Sequence, residues 1–96
     1  MTQGIKELAI EFIGRGEIKG FHFRQLLRGQ KMFLYEVNFD GLTHYEVFEM
    51  RVCITPKTKE PYVGYPKANS FGVWAWTYRD YEKAIEKYNE NEKYGI

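Results

Sequence analysis

Three stretches with the alternation of β-strands, separated by two short turn signals, dominate the first half of the chain. Residues 17–54 alternate apolar and polar side chains, as strands do because successive side chains point to opposite faces of a sheet. The interruptions are Gly29-Gln30 and Asp40-Gly41. The second is a strong hairpin signal, since glycine readily adopts the positive φ that tight hairpin turns require. The pattern predicts three antiparallel strands, over residues 17–28, 31–39 and 43–54.

The register of these strands decides which side chains share a face of the sheet. A two-residue loop at Gly29-Gln30 places Leu27 opposite Met32, and a three-residue loop with a glycine bulge at Asp40-Gly41 places Leu34 beside Phe48. The predicted core face then collects Phe21, Phe23, Leu27, Met32, Leu34, Phe48, Met50 and Val52. The opposite face collects His22, Arg24, Leu26, Phe33, Tyr35, Val37, Tyr45 and Val47.

Two stretches near the ends of the chain have the spacing of amphipathic helices. Residues 3–13 place Ile5, Leu8, Ala9, Phe12 and Ile13 on one stripe, although Leu8, Ile10 and Phe12 also alternate as a strand would. Tyr78, Tyr81, Ala84, Ile85 and Tyr88 form a second stripe. Thr77 and Asp80, at the start of this stripe, have the spacing of a capping box, with Asp80 in place of the usual glutamate. The final residues, 92–96, are expected to form a frayed tail.

A proline-rich loop and a fourth strand connect the third strand to the last helix. Residues 55–70 hold three prolines and three lysines, which predicts a loop with a short edge strand at Tyr62 to Tyr65. Residues 71–77 resume the alternation and place Trp74 and Trp76 on one side of the strand. The two tryptophans are either a buried core pair or an exposed binding pair, and the alternation alone does not choose between them.

The order of elements predicts an α+β two-layer sandwich. Its sheet is an antiparallel meander of four strands, or of five if the edge strand joins it, with an N-terminal and a C-terminal helix on one face, in the order αββββα. A chain of 96 residues, 44% of them hydrophobic, is expected to form a single domain over residues 1–96. Because two helices cover little more than one face, we expect the other face of the sheet to be open.

Charge and cysteine content argue against several classes of function. The 14 basic and 13 acidic side chains give a net charge of +1, which provides no overall attraction to nucleic acid or anionic membranes. The single Cys53 excludes an intramolecular disulfide and a metal site built from several cysteines. The first residues show no long apolar stretch after a basic start, and no run of 18 apolar residues occurs in the sequence, so we expect a soluble cytoplasmic protein without a secretory leader and without contact to a membrane.

Few residues have the spacing that catalysis or metal binding requires. His22 and His44 come from different strands, and no motif for a thiol nucleophile surrounds Cys53. We therefore predict no catalytic residue, no cofactor and no metal, and a protein that is not an enzyme. An enzyme would require a concave pocket that holds His22, His44 or Cys53 beside a carboxylate.

Two other patterns favour plain structural roles over chemistry. Glu36, Glu46 and Glu49 are expected to approach one another across the second and third strands as a solvated acidic edge. Glycines 14, 16 and 20 miss the dinucleotide-binding fingerprint in its second interval.

The aromatic content of the predicted open face indicates a binding module. Tyrosine, tryptophan and arginine carry most of the binding energy in protein interfaces, so a protein partner or a second copy of the chain is the expected ligand. The predicted partner-binding residues are Arg24, Tyr35, Tyr45, Tyr62, Tyr65, Trp74 and Trp76. The alternative is a single-stranded nucleic acid bound through the sheet aromatics and Arg24, Lys57, Lys59 and Lys67. Four acidic residues and no lysine or arginine in residues 32–50 oppose that alternative.

Overall fold

The computed structural model describes residues 6–94, which form an α+β fold with one C-terminal helix. The elements are β1 (Glu11–Ile13), β2 (His22–Arg28), β3 (Met32–Phe39), β4 (Leu42–Glu49), β5 (Val52–Ile54), β6 (Pro61–Val63), β7 (Ala75–Tyr78) and α1 (Tyr81–Tyr94). Short 3₁₀ turns lie at Gly16–Ile18 and Ala68–Ser70. Five strands form one antiparallel sheet in the order β1-β2-β3-β4-β7, and β5 pairs with β6 as a separate hairpin.

The segment before β2 is extended, so the predicted N-terminal helix is wrong over residues 6–13; residues 3–5 lie outside the described chain. Phe12 pairs with Phe23 on β2, and their rings stack with centroids 4.6 Å apart. Within β1, Glu11 and Ile13 are exposed while Phe12 packs inward, which is the alternation of a strand. The free edge of β2 and the Phe23 ring offer this segment backbone and aromatic partners that an isolated helix lacks, and tertiary contacts therefore override helix propensity.

The hairpin between β3 and β4 is one residue tighter than predicted. Asp40 and Gly41 both have positive φ, 52° and 79°, and they form a two-residue turn closed by the pair Phe39 and Leu42. Leu34 is consequently paired with Val47 and not with Phe48. Because side chains alternate along a strand, this shift of one residue moves Phe48 to the other face of the sheet.

A second irregularity, in β2, separates residues that the predicted register put together. Arg28 pairs with Phe33 and Leu27 with Leu34, but Gln25 pairs with Tyr35, so the register shifts around Leu26. This extra residue is a β-bulge. Beyond it, Phe23 lies on the face opposite to Leu34. The predicted single core face is therefore wrong, and the apolar residues divide between both faces.

Each face of the sheet carries its own core. We call them the loop face and the helix face, after what covers them. The loop-face core is Phe23, Phe33, Tyr35, Val37, Phe48 and Ala75, joined by Val63 of β6. The helix-face core is Met32, Leu34 and Val47, against which Ala84 and Tyr88 of α1 pack.

The predicted third and fourth strands are both shorter in the structure. The third breaks after Glu49, and β5 leaves the sheet to pair with β6. The fourth begins at Ala75, because residues 71–74 turn around the Ser70 carbonyl, which accepts hydrogen bonds from the Val73 and Trp74 amides at 3.0 Å. Trp74 therefore precedes the strand and packs on the loop-face core, whereas Trp76 packs on the helix face. The two tryptophans therefore form neither a buried core pair nor an exposed binding pair, because they lie on opposite faces of the sheet.

The C-terminal helix is confirmed, with different ends. Its N-cap is Asp80, whose Oδ1 accepts a hydrogen bond from the Glu82 amide at 2.9 Å, while Thr77 belongs to β7. Residues 92–94 belong to α1 and residues 95–96 lie outside the described chain, so the frayed tail over residues 92–96 stays a prediction. The Glu92 carboxylate accepts hydrogen bonds from the amides of Gln30, Lys31 and Met32 at the β2–β3 turn, which fastens the end of α1 to the sheet.

Both faces are covered where they are aromatic, so the predicted open aromatic face is wrong. Helix α1 contacts β3, β4 and β7, and irregular chain around Leu8, Ile18, Tyr65 and Phe71 covers the loop face. The part of the helix face outside the reach of α1 carries paired polar side chains, such as Arg24 and Glu36 at 3.1 Å, beside the exposed Ile13. No helix within residues 6–94 is long and apolar enough to cross a membrane.

Candidate functional site

A cleft of about 790 Å³ opens on the loop face beside β4 and β7. The 3₁₀ turn Gly16–Ile18 forms one wall, and residues 65–69 with Phe71 form the other. Ile18, Pro66 and Phe71 make much of the lining apolar. Irregular chain packed on a rigid sheet is the usual setting for binding residues, because the sheet fixes the positions that the loops present.

Glu46 of β4 lies at the floor of this cleft and is only 6% exposed. It stands on the loop face between Tyr35 of β3 and Thr77 of β7. The Tyr65 hydroxyl donates a short hydrogen bond to Glu46 Oε1, and His44 Nε2 lies 3.0 Å from Oε2. Residues 44 and 46 alternate on one strand, so their side chains share a face and can meet. The floor is thus a buried carboxylate held by two hydrogen-bonding side chains.

Tyr65 is fixed in place by the aromatic core beneath it. Its ring meets Phe23 edge-on at 5.0 Å and Phe48 at 5.7 Å, so its hydroxyl is directed at Glu46 from a rigid base. Burial raises the pKa of the Tyr65 hydroxyl, and the negative charge of Glu46 and the hydrogen bond to it raise that pKa further. The hydroxyl therefore stays protonated as a donor, and Glu46 remains free to accept further hydrogen bonds from the cleft.

The rim of the cleft carries charges of both signs. Arg15, Lys67 and Glu17 line it and are exposed. The partners of the Glu46 carboxylate within residues 6–94 are Tyr65 and His44, and no ion pair joins Glu46 to Arg15 or Lys67. The deepest charge in the cleft is therefore negative, with the cations at its mouth.

A second cleft, of about 580 Å³, adjoins the first. Phe12, Ile13, Gly14, Arg15 and Ile18 line it, and the last two of these also line the Glu46 cleft. We call these two neighbouring clefts together the groove. It runs from the end of β1 past the 3₁₀ turn to β4 and β7.

Most residues predicted to bind a partner lie elsewhere. Tyr35 is fully buried, and its hydroxyl donates to the Ala9 carbonyl at 2.6 Å, so it belongs to the core. Tyr45 and Trp76 are partly buried on the helix face, where Tyr45 meets the Tyr81 ring edge-on at 5.4 Å. Trp74 lies beneath the Arg51 guanidinium at 4.6 Å.

Of the seven predicted partner-binding residues, Tyr65 alone lines the Glu46 cleft. Tyr62 lines a different cleft, between the N-terminal segment and the β5–β6 hairpin. Arg24 is ion-paired with Glu36 on the helix face.

The residues predicted for nucleic-acid binding do not form one surface. Lys57 and Lys59 are exposed on the β5–β6 connection, and Lys67 lies at the mouth of the groove on the loop face. Arg24 lies on the helix face.

The predicted acidic edge is also wrong. Glu36 pairs in register with Tyr45, and Glu46 pairs with Tyr35, so the two carboxylates point to opposite faces. Glu49 is bound by Arg51 at 3.0 Å. Glu46 directly precedes Val47 and Phe48, and all three residues are buried in β4. Its place beside two apolar residues was the one sequence signal that could have indicated a buried charge. Nothing in the sequence indicated that Tyr65 would reach it across 19 residues.

The remaining candidates for chemistry are separate from the groove. His22 contacts Glu11 at 2.8 Å on the helix face, and Cys53 is half-buried in β5. No group of three or more histidine, cysteine, aspartate or glutamate side chains suited to a metal occurs in residues 6–94.

Comparison with protein-family models, with curated proteins and with solved structures finds no match to this chain.

Proposed function

We propose that this chain is a non-enzymatic binding domain and that the groove receives an extended segment of another protein. The observation that carries the proposal is the buried Glu46 carboxylate at the floor of a largely apolar cleft of about 790 Å³. Ligand sites have this volume and this combination of apolar walls with a few fixed polar groups. The binding surface is therefore placed on the loop-covered side of the sheet and not on an open face.

The shape of the groove favours a polypeptide over a compact small molecule. Its two clefts share Arg15 and Ile18 in their linings, so a ligand that fills both must extend from one cleft to the other past these two side chains. Ile13, 57% exposed at the end of β1, adds apolar surface at the far end. An extended chain segment with alternate side chains entering successive pockets fits such a depression.

The chemistry of the floor favours binding over acid–base catalysis. The raised pKa of Tyr65 keeps its hydroxyl protonated, which makes it a poor nucleophile and a poor base near neutral pH. His44 Nε2 is engaged by Glu46. These groups hold one another in place, as the floor of a recognition site requires.

A single-stranded nucleic acid is the second candidate, because Arg15 and Lys67 lie beside Tyr65 and Phe71 at the groove. Bases could stack on these rings while phosphates meet the two cations. The negative charges of Glu46 and Glu17 in the same lining oppose it. A titration with a labelled oligonucleotide at low salt separates the two candidates: the protein-segment proposal expects no shift, and a salt-dependent shift that Lys67→Gln weakens would favour nucleic acid.

The direct test is a display screen of random peptides against the immobilised domain, followed by NMR mapping of the selected peptides. We expect the amide signals of Ile18, Tyr65, Phe71 and Thr77 to shift on titration. Ile18→Lys should weaken binding at least tenfold, because it places a charge in an apolar wall and roughly 1.4 kcal/mol suffices for that factor.

The matched control is Val52→Lys, which adds the same charge at an exposed apolar position of β5 outside the groove. Equal losses from both variants, or shifts confined to other surfaces, would contradict the proposal. Mass measurement by size-exclusion and light scattering at several concentrations tests the case of a second copy as the partner. In that case Ile18→Lys, and not Val52→Lys, should dissociate the oligomer.

A further inference from the structure

We infer that the segment bound in the groove carries a lysine or arginine whose side chain pairs with Glu46. The inference rests on the proposed function and names the chemical class that the site selects. It follows from the charge state of the cleft floor, from the positions of the chain's own cations, and from the path that leads to the carboxylate.

Within residues 6–94, no lysine or arginine pairs with the buried Glu46 carboxylate, whose side chain is 8% exposed. The Tyr65 hydroxyl donates to one oxygen without cancelling the charge, and His44 Nε2, 3.0 Å from the other oxygen, carries a positive charge only when the imidazole is protonated. Buried charges in proteins are normally paired with an opposite charge or bound to a metal, because desolvation of a lone ion is costly. A cation that enters with a ligand would complete this site.

The cations of the groove itself do not supply that partner. Arg15 and Lys67 line the same cleft, yet both are exposed at its mouth, and neither forms an ion pair with Glu46 in the part of the chain that the structure describes. Their positive charge would repel a basic ligand weakly across solvent, since exposed charges are well screened. The attraction of the buried carboxylate is screened much less.

A route for a long basic side chain leads from the sheet edge to Glu46. Thr77 of β7 is the register partner of Glu46, it is exposed, and β7 is the last strand in the sheet order. A segment lying beside β7 is therefore one strand spacing beyond Thr77, and the flexible four-carbon stem of lysine or the arginine fork can pass this small residue. The Tyr65 and Phe71 rings, with centroids 6.3 Å apart, line the same cleft, and their faces attract cations.

The test compares peptides selected from one random library on the wild-type domain and on Glu46→Gln. The glutamine keeps the size of the side chain and an acceptor oxygen for Tyr65 while removing the charge. Wild type should enrich lysine or arginine at one position of groove-binding peptides, and Glu46→Gln should not. Replacing the enriched residue by glutamine should weaken binding to wild type about tenfold or more and binding to Glu46→Gln less than about twofold, as expected for a charge-assisted contact.

The matched control is Glu36→Gln, which neutralises a partly buried carboxylate of the neighbouring strand on the other face. It should keep the preference for a basic residue. Peptides that map to the groove without any such preference would overturn this inference and leave the proposed function standing. Failure to select any groove-binding peptide would overturn both.

Further variants test whether a cation of the chain itself can occupy the site. Thr77→Lys places a basic side chain beside Glu46, so it should raise the melting temperature and abolish the preference for basic peptides. This test does not depend on whether Glu46→Gln folds. A double-mutant cycle of Glu46→Gln with Lys67→Gln, and one with Arg15→Gln, should show no coupling in denaturation. Strong coupling would show that the partner cation already belongs to the chain and would overturn the inference.

Discussion

The two faces of the sheet carry cores that are built and covered differently, and the loop-face core is the larger. The helix face buries Met32, Leu34 and Val47 under a single regular helix, which Asp80 caps at its start and Glu92 attaches to the sheet at its end. The loop face buries stacked aromatic rings under irregular chain and includes the charged Glu46. The helix closes its face by a continuous packed stripe, whereas irregular chain leaves the groove between its segments.

This difference indicates a division of roles within one sheet. Glu46 and Val47 lie on opposite sides of the same strand, so under the proposed function Glu46 would contribute to recognition while Val47 contributes to the packing of the helix face. Substitutions on the loop face should therefore change binding and stability together, while those on the helix face should change stability alone.

The largest expected change in stability comes from core substitutions on the two faces, at Phe48 of β4 and at Leu34 of β3. Phe48→Ala should lower the free energy of unfolding by about 3–5 kcal/mol, because the ring packs between Phe33, Tyr35 and Tyr65 at 5.5 to 5.7 Å. Leu34→Ala, buried on the helix face, should cost about 2–5 kcal/mol. Urea denaturation measures both. In the folded fraction, only the Phe48 variant should also weaken peptide binding, because it removes support from Tyr65; Phe48→Leu serves if the alanine variant does not fold.

The next effect concerns the fastening of α1 to the β2–β3 turn. Glu92→Ala should cost about 2 kcal/mol, since its carboxylate accepts hydrogen bonds from three backbone amides and charge-assisted bonds are stronger than neutral ones. Gly29→Ala should have a similar effect, because a Cβ there would overlap the Glu92 carboxylate. Glu90→Ala is the control on the same helix: its contact with Lys87 at 3.7 Å is exposed and should contribute under about 0.5 kcal/mol. A loss of peptide binding in Glu92→Ala would contradict the separation of the faces.

A smaller effect tests which residue caps α1. Asp80→Ala should lower the free energy of unfolding by about 1 kcal/mol, because Oδ1 accepts the Glu82 amide. Thr77→Ala should change it by less than about 0.5 kcal/mol, since Thr77 is an exposed strand residue. Thermal denaturation of the two variants compares them directly. The reverse order would restore the capping-box interpretation of the sequence.

The last prediction concerns the loss of stability at alkaline pH and the contribution of Tyr65 to it, which is the smallest of these effects near neutral pH. Its pKa in the folded state is raised above the ordinary value of 10, chiefly by burial and then by Glu46, so the folded protein retains a proton that the unfolded chain loses. The stability contributed by this difference is complete below about pH 10 and falls as the pH rises above it. Tyr65→Phe should therefore make the alkaline loss of stability less steep, measured by urea denaturation between about pH 9 and 11. An unchanged slope would contradict the raised pKa.

Sequence patterns correctly predicted the elements whose formation depends on residues close together in the chain. The helical stripe of Tyr81, Ala84, Ile85 and Tyr88 produced a helix, and Asp40-Gly41 produced a hairpin turn. The N-terminal stretch failed because its apolar residues fit both a helix and a strand, and only the free edge of β2 decided between them. Of the candidate site, the sequence predicted only Tyr65 as a partner-binding residue. Its contact with Glu46 was not predictable, because it depends on how the chain after β6 crosses the loop face.

The sequence by itself determined the alternating strand pattern of residues 17–54, the hairpin turn at Asp40-Gly41 and the C-terminal helix, because each rests on interactions within a few residues. Tertiary structure decided the faces. One residue fewer in the Asp40-Gly41 turn and one more at Leu26 moved Phe48 and Phe23 away from Leu34, and these shifts divided one expected core into two. A shift of register by one residue moves every side chain of a strand to the opposite face of the sheet. The shorter turn and the extra residue in β2 therefore determined where Glu46 is buried and where the groove opens.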